Sequence, residues 1–153
     1  MHQILLSLHS INRWLVLLSL LYGIYIAGRG RWQQHTFTAH DNFVRHVTAT
    51  IAQVQLLLGL SLYMISPIVK FAVAEEGNQL VSEHLFFRYI HISLMAIAVI
   101  MITIGSAKAK RMPTDIQKFS TMLIWFVVAL LIILVAIPWP FSPLANRPFI
   151  RSF

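Results

Sequence analysis

Four apolar runs, each long enough to cross a bilayer as a helix, constrain this chain more than any other feature. They cover roughly Ile4–Ala27, Phe43–Ser66, Leu85–Gly105 and Phe119–Ile137. Each reaches the ~20 residues that span ~30 Å of hydrocarbon at 1.5 Å per residue. The runs are continuous rather than alternating and far exceed the ~9–11 residues of a barrel strand, which argues against a membrane barrel. Charged residues make up only 11% of the 153, well under the ~25% of soluble domains. The expectation is an all-α chain: one integral membrane domain over residues 1–153, a four-helix bundle running up-down-up-down, with almost no soluble part.

The first run has no basic segment before it and no small-residue cleavage site after it, so it is expected to stay in the mature protein. The net charge of +7 would suit nucleic acid, but its distribution points elsewhere. Arg29, Arg31 and Arg45 lie in or beside the first loop, and Lys108, Lys110, Arg111 and Lys118 in or beside the third. The second loop sets Lys70 against Glu75, Glu76 and Glu83. Basic residues collect on the cytoplasmic side of spanning helices, which puts loops 1 and 3 inside and both termini outside. Their partners are then anionic lipid headgroups and not nucleic acid. The chain has no cysteine, which removes disulfides, iron–sulfur clusters, thiolate metal sites and covalent haem attachment.

Breakers punctuate the runs: "GRGRW" after the first, "SPIVK" after the second, "RMPTD" before the fourth and "PWPFSP" after it. Pro138 should close the fourth helix and leave residues 138–153 as an irregular tail along the outer surface. Trp14, Trp32 and Trp139 fall near expected interfaces, as anchoring aromatics do. The chain also reads as two helix pairs in tandem: His9 and His91, Gly23 and Gly105, and His2 and His84 are each 82 residues apart. The first and third helices run in the same direction, so His9 and His91 should lie at similar depth near the outer face.

Those two histidines carry the functional reading. "SLHSINRW" places His9 four residues before Arg13, and "EHLFFRYIH" spaces His84, Arg88 and His91 by four and three. Such spacings share one face of an α-helix. Ionisable groups inside a spanning segment are costly and face the bundle interior, a cavity or a cofactor. Two inward imidazoles on separate helices suit the axial positions of a haem iron, with Arg13 and Arg88 placed to neutralise its propionates. The same residues are also compatible with plain interhelical hydrogen bonding or with a different ligand. His2 and His84 would form a layer ~10 Å nearer water, either simply solvated or in contact with a propionate or a surface metal. Gly23 and Gly105 read as sites of close helix packing.

Other polar residues point less sharply. His35, His40 and His46, in and just after the first loop, do not share a helical face, and zinc there would depend on how the loop closes. Gln53 and Gln55 need partners, either across helices or on a quinone headgroup. Met95, four residues after His91, is either a soft ligand or core filling.

Taken together, "LHSINRW", "QVQLLLGLSLYMISP", "TIGSAKAKR" and "AIPWPF" resemble a family of small bacterial four-helix membrane proteins labelled cytochrome b-like. The architecture is similar to other four-helix b-type cytochromes, among them the membrane anchors of succinate dehydrogenase and the b561 group. That resemblance implies one haem b held by His9 and His91, in the bacterial inner membrane, exchanging single electrons with quinone or a redox partner protein. In the closer family a histidine stands where this chain has Gln53, and the doubled histidine pairs of a b561 are missing here. Two other classes remain open: a structural or accessory subunit of a larger membrane complex, and a porphyrin-oxidising membrane enzyme similar to four-helix protoporphyrinogen oxidases. An electron carrier is favoured over a catalyst, because apart from Arg13, Arg88 and the glutamines no group stands ready to move protons.

Overall fold

The structure is a computed structural model and describes residues 2–70 and 82–139. Four long helices make up almost all of it: α1 (His2–Gln33), α2 (Ala39–Ile65), α3 (Glu83–Arg111) and α4 (Asp115–Ala136). Each is long and apolar enough to cross a membrane, and the chain is a multi-pass four-helix transmembrane bundle. A single further turn, Pro67–Lys70, follows α2. The expected irregular tail lies, beyond Trp139, outside the described residues, as do Glu75 and Glu76.

Helix ends differ from those read from hydropathy, and local capping explains why. α1 runs six residues past Ala27 and ends at Gln33, with Gln34 turning the chain in the left-handed region at φ 52°. Gly28 and Gly30, expected to break the helix, sit inside it. Gly30 is there for packing, because a Cβ at that position would strike the Phe119 ring. α2 starts at a capping box: Thr38 Oγ1 accepts from the Asp41 N–H at 3.3 Å, and Asp41 Oδ2 accepts from the Thr38 N–H at 2.7 Å. This satisfies two of the orphan donors of the first turn. Thr114 Oγ1 makes a simple N-cap on α4, accepting from the Gln117 N–H.

The early start of α2 changes the reading of Arg45. Expected as a headgroup-facing charge beside the first loop, it is buried in the second turn of α2. Its guanidinium donates to the Ser106 carbonyl at 2.8 Å, to Ser106 Oγ, and to Asn42 Oδ1 at 3.2 and 2.9 Å. Ser106 Oγ donates back to the Arg45 carbonyl. Arginine's planar fork lets one buried cation satisfy several acceptors at once, and here it clamps α2 to α3.

α1 packs against α2 and α4, and α3 packs against the same two neighbours, so α1 and α3 face each other diagonally across the bundle. Up-down connection of consecutive helices, by short loops at 34–38 and 112–114, produces this ring. From Leu20 and Ile102 to Phe119 the interior is solid, with Leu20, Ala27, Ile102, Ala109, Met122, Phe126 and Ala129 fully buried. Without a hydrophobic drive inside lipid, close approach of small residues does the packing. Gly23 meets Phe126 and Met122, where a Cβ would come within 3.1 and 3.3 Å, and Gly105 meets Trp125. Leu18, Tyr25, Leu57, Ile100, Ile124 and Val135 point outward, as a lipid-facing surface requires.

Trp14 departs from the anchoring role expected of it. It is half-buried against Trp139, ring centres 6.5 Å apart, and its indole N–H is buried without an acceptor. Trp32, 90% exposed at the opposite end, keeps an anchoring position.

Candidate functional site

At the end of the bundle where the chain begins, the solid core gives way to a partly open cavity of about 190 Å³. Val16, Ala52 and Val99 form its floor, and His2, Tyr63, Ser66 and Pro138 are among the residues toward its mouth. α2 contributes one stripe, Ala52, Gln55, Leu56, Gly59, Leu62 and Tyr63, the repeat of a single helical face. His9, Arg13 and His91 line the same space. Its described lining includes no carboxylate, so the fixed charge facing a ligand is positive.

The two imidazoles meet across the bundle diagonal, ring centres 6.5 Å apart and planes crossing at 66°. His91 is the last residue of a π-helical segment, Phe86–His91, inside α3. The wider i→i+5 turn of such a segment shifts the register of everything beyond it and often marks a functional site. Here it delivers His91 to the cavity, with Phe86 and Phe87 packed around the ring at 5.8 and 5.7 Å. His91 Nδ1 lies 2.8 Å from the Ala136 carbonyl. A carbonyl only accepts, so Nδ1 carries the proton and Nε2 keeps a free lone pair.

His9 is held differently. Its Cε1 lies 3.3 Å from where a Cβ of Gly59 would stand, so the glycine makes room for the ring. Its Nδ1 is buried and has no hydrogen-bond partner. The backbone below it is fixed: the Gln55 amide donates to the His9 carbonyl at 3.0 Å. Asn12 Nδ2 in turn donates to Gln55 Oε1 at 2.9 Å and to the Ile51 carbonyl at 3.3 Å. "HSIN" therefore pairs a cavity-facing imidazole with the amide that sets the height of α1 against α2. Replacing Gln55 by leucine is expected to cost about 1 kcal/mol of bundle stability, read as a lower thermal midpoint in detergent. An unchanged midpoint would remove the network from the account of how His9 is positioned.

The remaining candidates divide. Arg13 reaches the cavity, with its guanidinium 5.5 Å from the Trp14 ring centre. Arg88 and His84 are not among the lining residues. The π segment breaks the α-helical spacing that put them on His91's face, and Arg88 Nη1 donates instead to the Val69 carbonyl at 3.2 Å. Met95 lines the cavity one turn deeper than His91. Gln53 turns outward and donates to Thr103 Oγ1 at 3.2 Å, an interhelical bond. His35 and His40 rest against the Phe119 and Tyr22 rings, and His46 is exposed. No three His, Asp or Glu side chains converge among the described residues. Gly59 and the π segment escaped the sequence reading. The first left a signal, since it stands four residues after Gln55 on one helical face, but the second left none in residue type.

The ring pair suits a metal ion that both imidazoles would hold. At metal–nitrogen bonds of ~2.0 Å, two imidazoles on opposite sides of one ion have ring centres about 6.3 Å apart. The 6.5 Å separation of the ring centres is close to that distance. A porphyrin supplies the other four nitrogens, so two protein ligands suffice. The apolar wall, the glycine under His9 and the cationic Arg13 suit a flat apolar group with carboxylates at its edge. No protein-family model, curated protein or solved structure matches the chain.

Proposed function

We propose that the chain is a membrane cytochrome binding one haem b in the cavity between α1 and α3. The observation that carries this reading is the 6.5 Å separation of two imidazoles from helices that do not otherwise touch side by side. His9 and His91 would hold the iron, and Arg13 would neutralise propionate charge. Bound haem supplies one-electron exchange between ferric and ferrous iron. The protein's part is to fix the rings, exclude water with Leu56, Leu62, Phe87 and Val99, and keep the interior free of negative charge. Buried apolar side chains from Leu20 to Phe119 separate the cavity from the opposite end of the bundle, so the reading has donor and acceptor meet the haem from the cavity's own side.

The orientation follows from charge. Arg31, Lys108, Lys110, Arg111 and Lys118 gather at the end of the bundle opposite the cavity. The positive-inside rule then favours that end on the cytoplasmic side and the cavity under the outer surface; a bacterial inner membrane is what the resemblance of the sequence implies.

The test is the absorption spectrum of the purified chain after haem supplementation, oxidised and reduced. The expected result is one haem per chain with a low-spin spectrum and a sharp ferrous α band. A chain that assembles fully and takes up no haem would overturn the proposal and leave a structural subunit as the reading.

A further inference from the structure

The two histidines are supported unequally, and the difference bears on how the site is regulated. His91 is locked. It ends the π segment, is packed by Phe86 and Phe87, and donates from Nδ1 to the Ala136 carbonyl at 2.8 Å. A second hydrogen bond of that kind fixes a ligand's tautomer, orients its ring and raises its basicity, and its loss typically costs 10–100-fold in metal affinity. His9 has none of this. Its Nδ1 is buried with no partner, and the surface against its ring edge is a glycine. A His9 ligating through Nε2 would carry its Nδ1 proton with nothing to receive it. Detaching it breaks no other side-chain bond, since the Gln55 amide grips the His9 backbone carbonyl and not the ring.

We infer that His91 is the permanent ligand and His9 the exchangeable one, so that the His9 side of the cavity admits a small exogenous ligand in its place. The ligand class is a compact neutral donor, diatomic or imidazole-sized, because the wall there is apolar and Arg13 is taken up by the propionate charge. The inference rests on the haem reading and adds a switch to it. With His9 attached the site passes electrons, and with His9 displaced it reports the presence of the competing ligand.

The experiment uses the full chain in detergent, loaded with haem, with carbon monoxide and free imidazole as probes. Carbon monoxide is expected to bind the ferrous unmodified chain by displacing a histidine. His9→Ala is expected to keep its haem in a high-spin form that added imidazole returns to low spin. His91→Ala is expected to lose haem affinity roughly 10–100-fold more than His9→Ala. Helicity by circular dichroism qualifies each variant. If one fails to fold, the other decides: His9→Ala must keep its haem and bind carbon monoxide, and His91→Ala must lose it. Equal losses from the two variants, or a ferrous protein indifferent to carbon monoxide, would overturn the inequality while leaving the haem site standing. Failure of the unmodified chain to take up haem at all would overturn the underlying reading instead.

Discussion

Gly105→Ala is expected to lower the stability of the detergent-solubilised bundle by about 1 kcal/mol net, although alanine is the better helix former. A methyl there would collide with Trp125 Cβ and Cγ. Those atoms are tied to the α4 backbone and cannot swing aside, so α3 and α4 must separate. Overpacking of this kind costs about 1–3 kcal/mol and occasionally more, against the ~1 kcal/mol that alanine returns in helix propensity. Gly28→Ala is the control, because only Leu123 approaches, at 4.0 Å, and it should gain about 0.5–1 kcal/mol. Gly30→Ala falls between them. It meets the far edge of the Phe119 ring, which is flexible in principle but held by His35 and Phe37 at 5.0 and 4.9 Å. Thermal or denaturant midpoints of the three variants give the ranking. Equal stability of the Gly28 and Gly105 variants would mean that α3 and α4 are not packed through that glycine.

The glycines also mark the limit of what hydropathy conveys. Run length sufficed for four spanning helices, because hydrocarbon thickness fixes how many apolar residues a span needs. It did not locate the ends, because a helix continues past the hydrocarbon wherever water or a cap serves its backbone. Arg29, Gly30 and Arg31 therefore looked like a loop and are the last turns of α1. Thr38 and Asp41 form a T-x-x-D pair just before an apolar run, which is the signature of a helix start. Weighing it would have placed α2 four residues earlier and turned Arg45 inward. Spacing alone was enough to raise His9 and His91 together, since helices of the same direction bring equivalent positions to one depth. The same arithmetic failed for Arg88 and His84, because it assumes 3.6 residues per turn and the π segment does not obey that period. Trp14 was misjudged for a different reason: the tryptophan across from it, Trp139, is distant in sequence and covers it only once α1 and α4 are packed.

Gly59→Leu should empty the proposed site while leaving both histidines and the fold in place, which makes it the sharpest single substitution for the haem reading. Gly59 lies on the α2 stripe that walls the cavity, and even a Cβ there would stand 3.3 Å from His9 Cε1. Leucine adds three further carbons, directed into the space between the rings or against His9 itself. An overpacking cost of about 1.5–3 kcal/mol set wholly against binding lowers affinity roughly 10- to 100-fold. The apolar side chain fills a cavity instead of opening one, so the thermal midpoint of the haem-free chain should hold or rise. That pairing distinguishes occlusion from unfolding, which would lower both quantities. Gly59→Ala provides the graded case: its methyl asks the ring to give by only a few tenths of an ångström, so haem content should persist with a shifted spectrum. Full haem content in Gly59→Leu, at undiminished helicity, would mean that the group does not lie between α1, α2 and α3, and that the nearness of His9 to His91 has another cause.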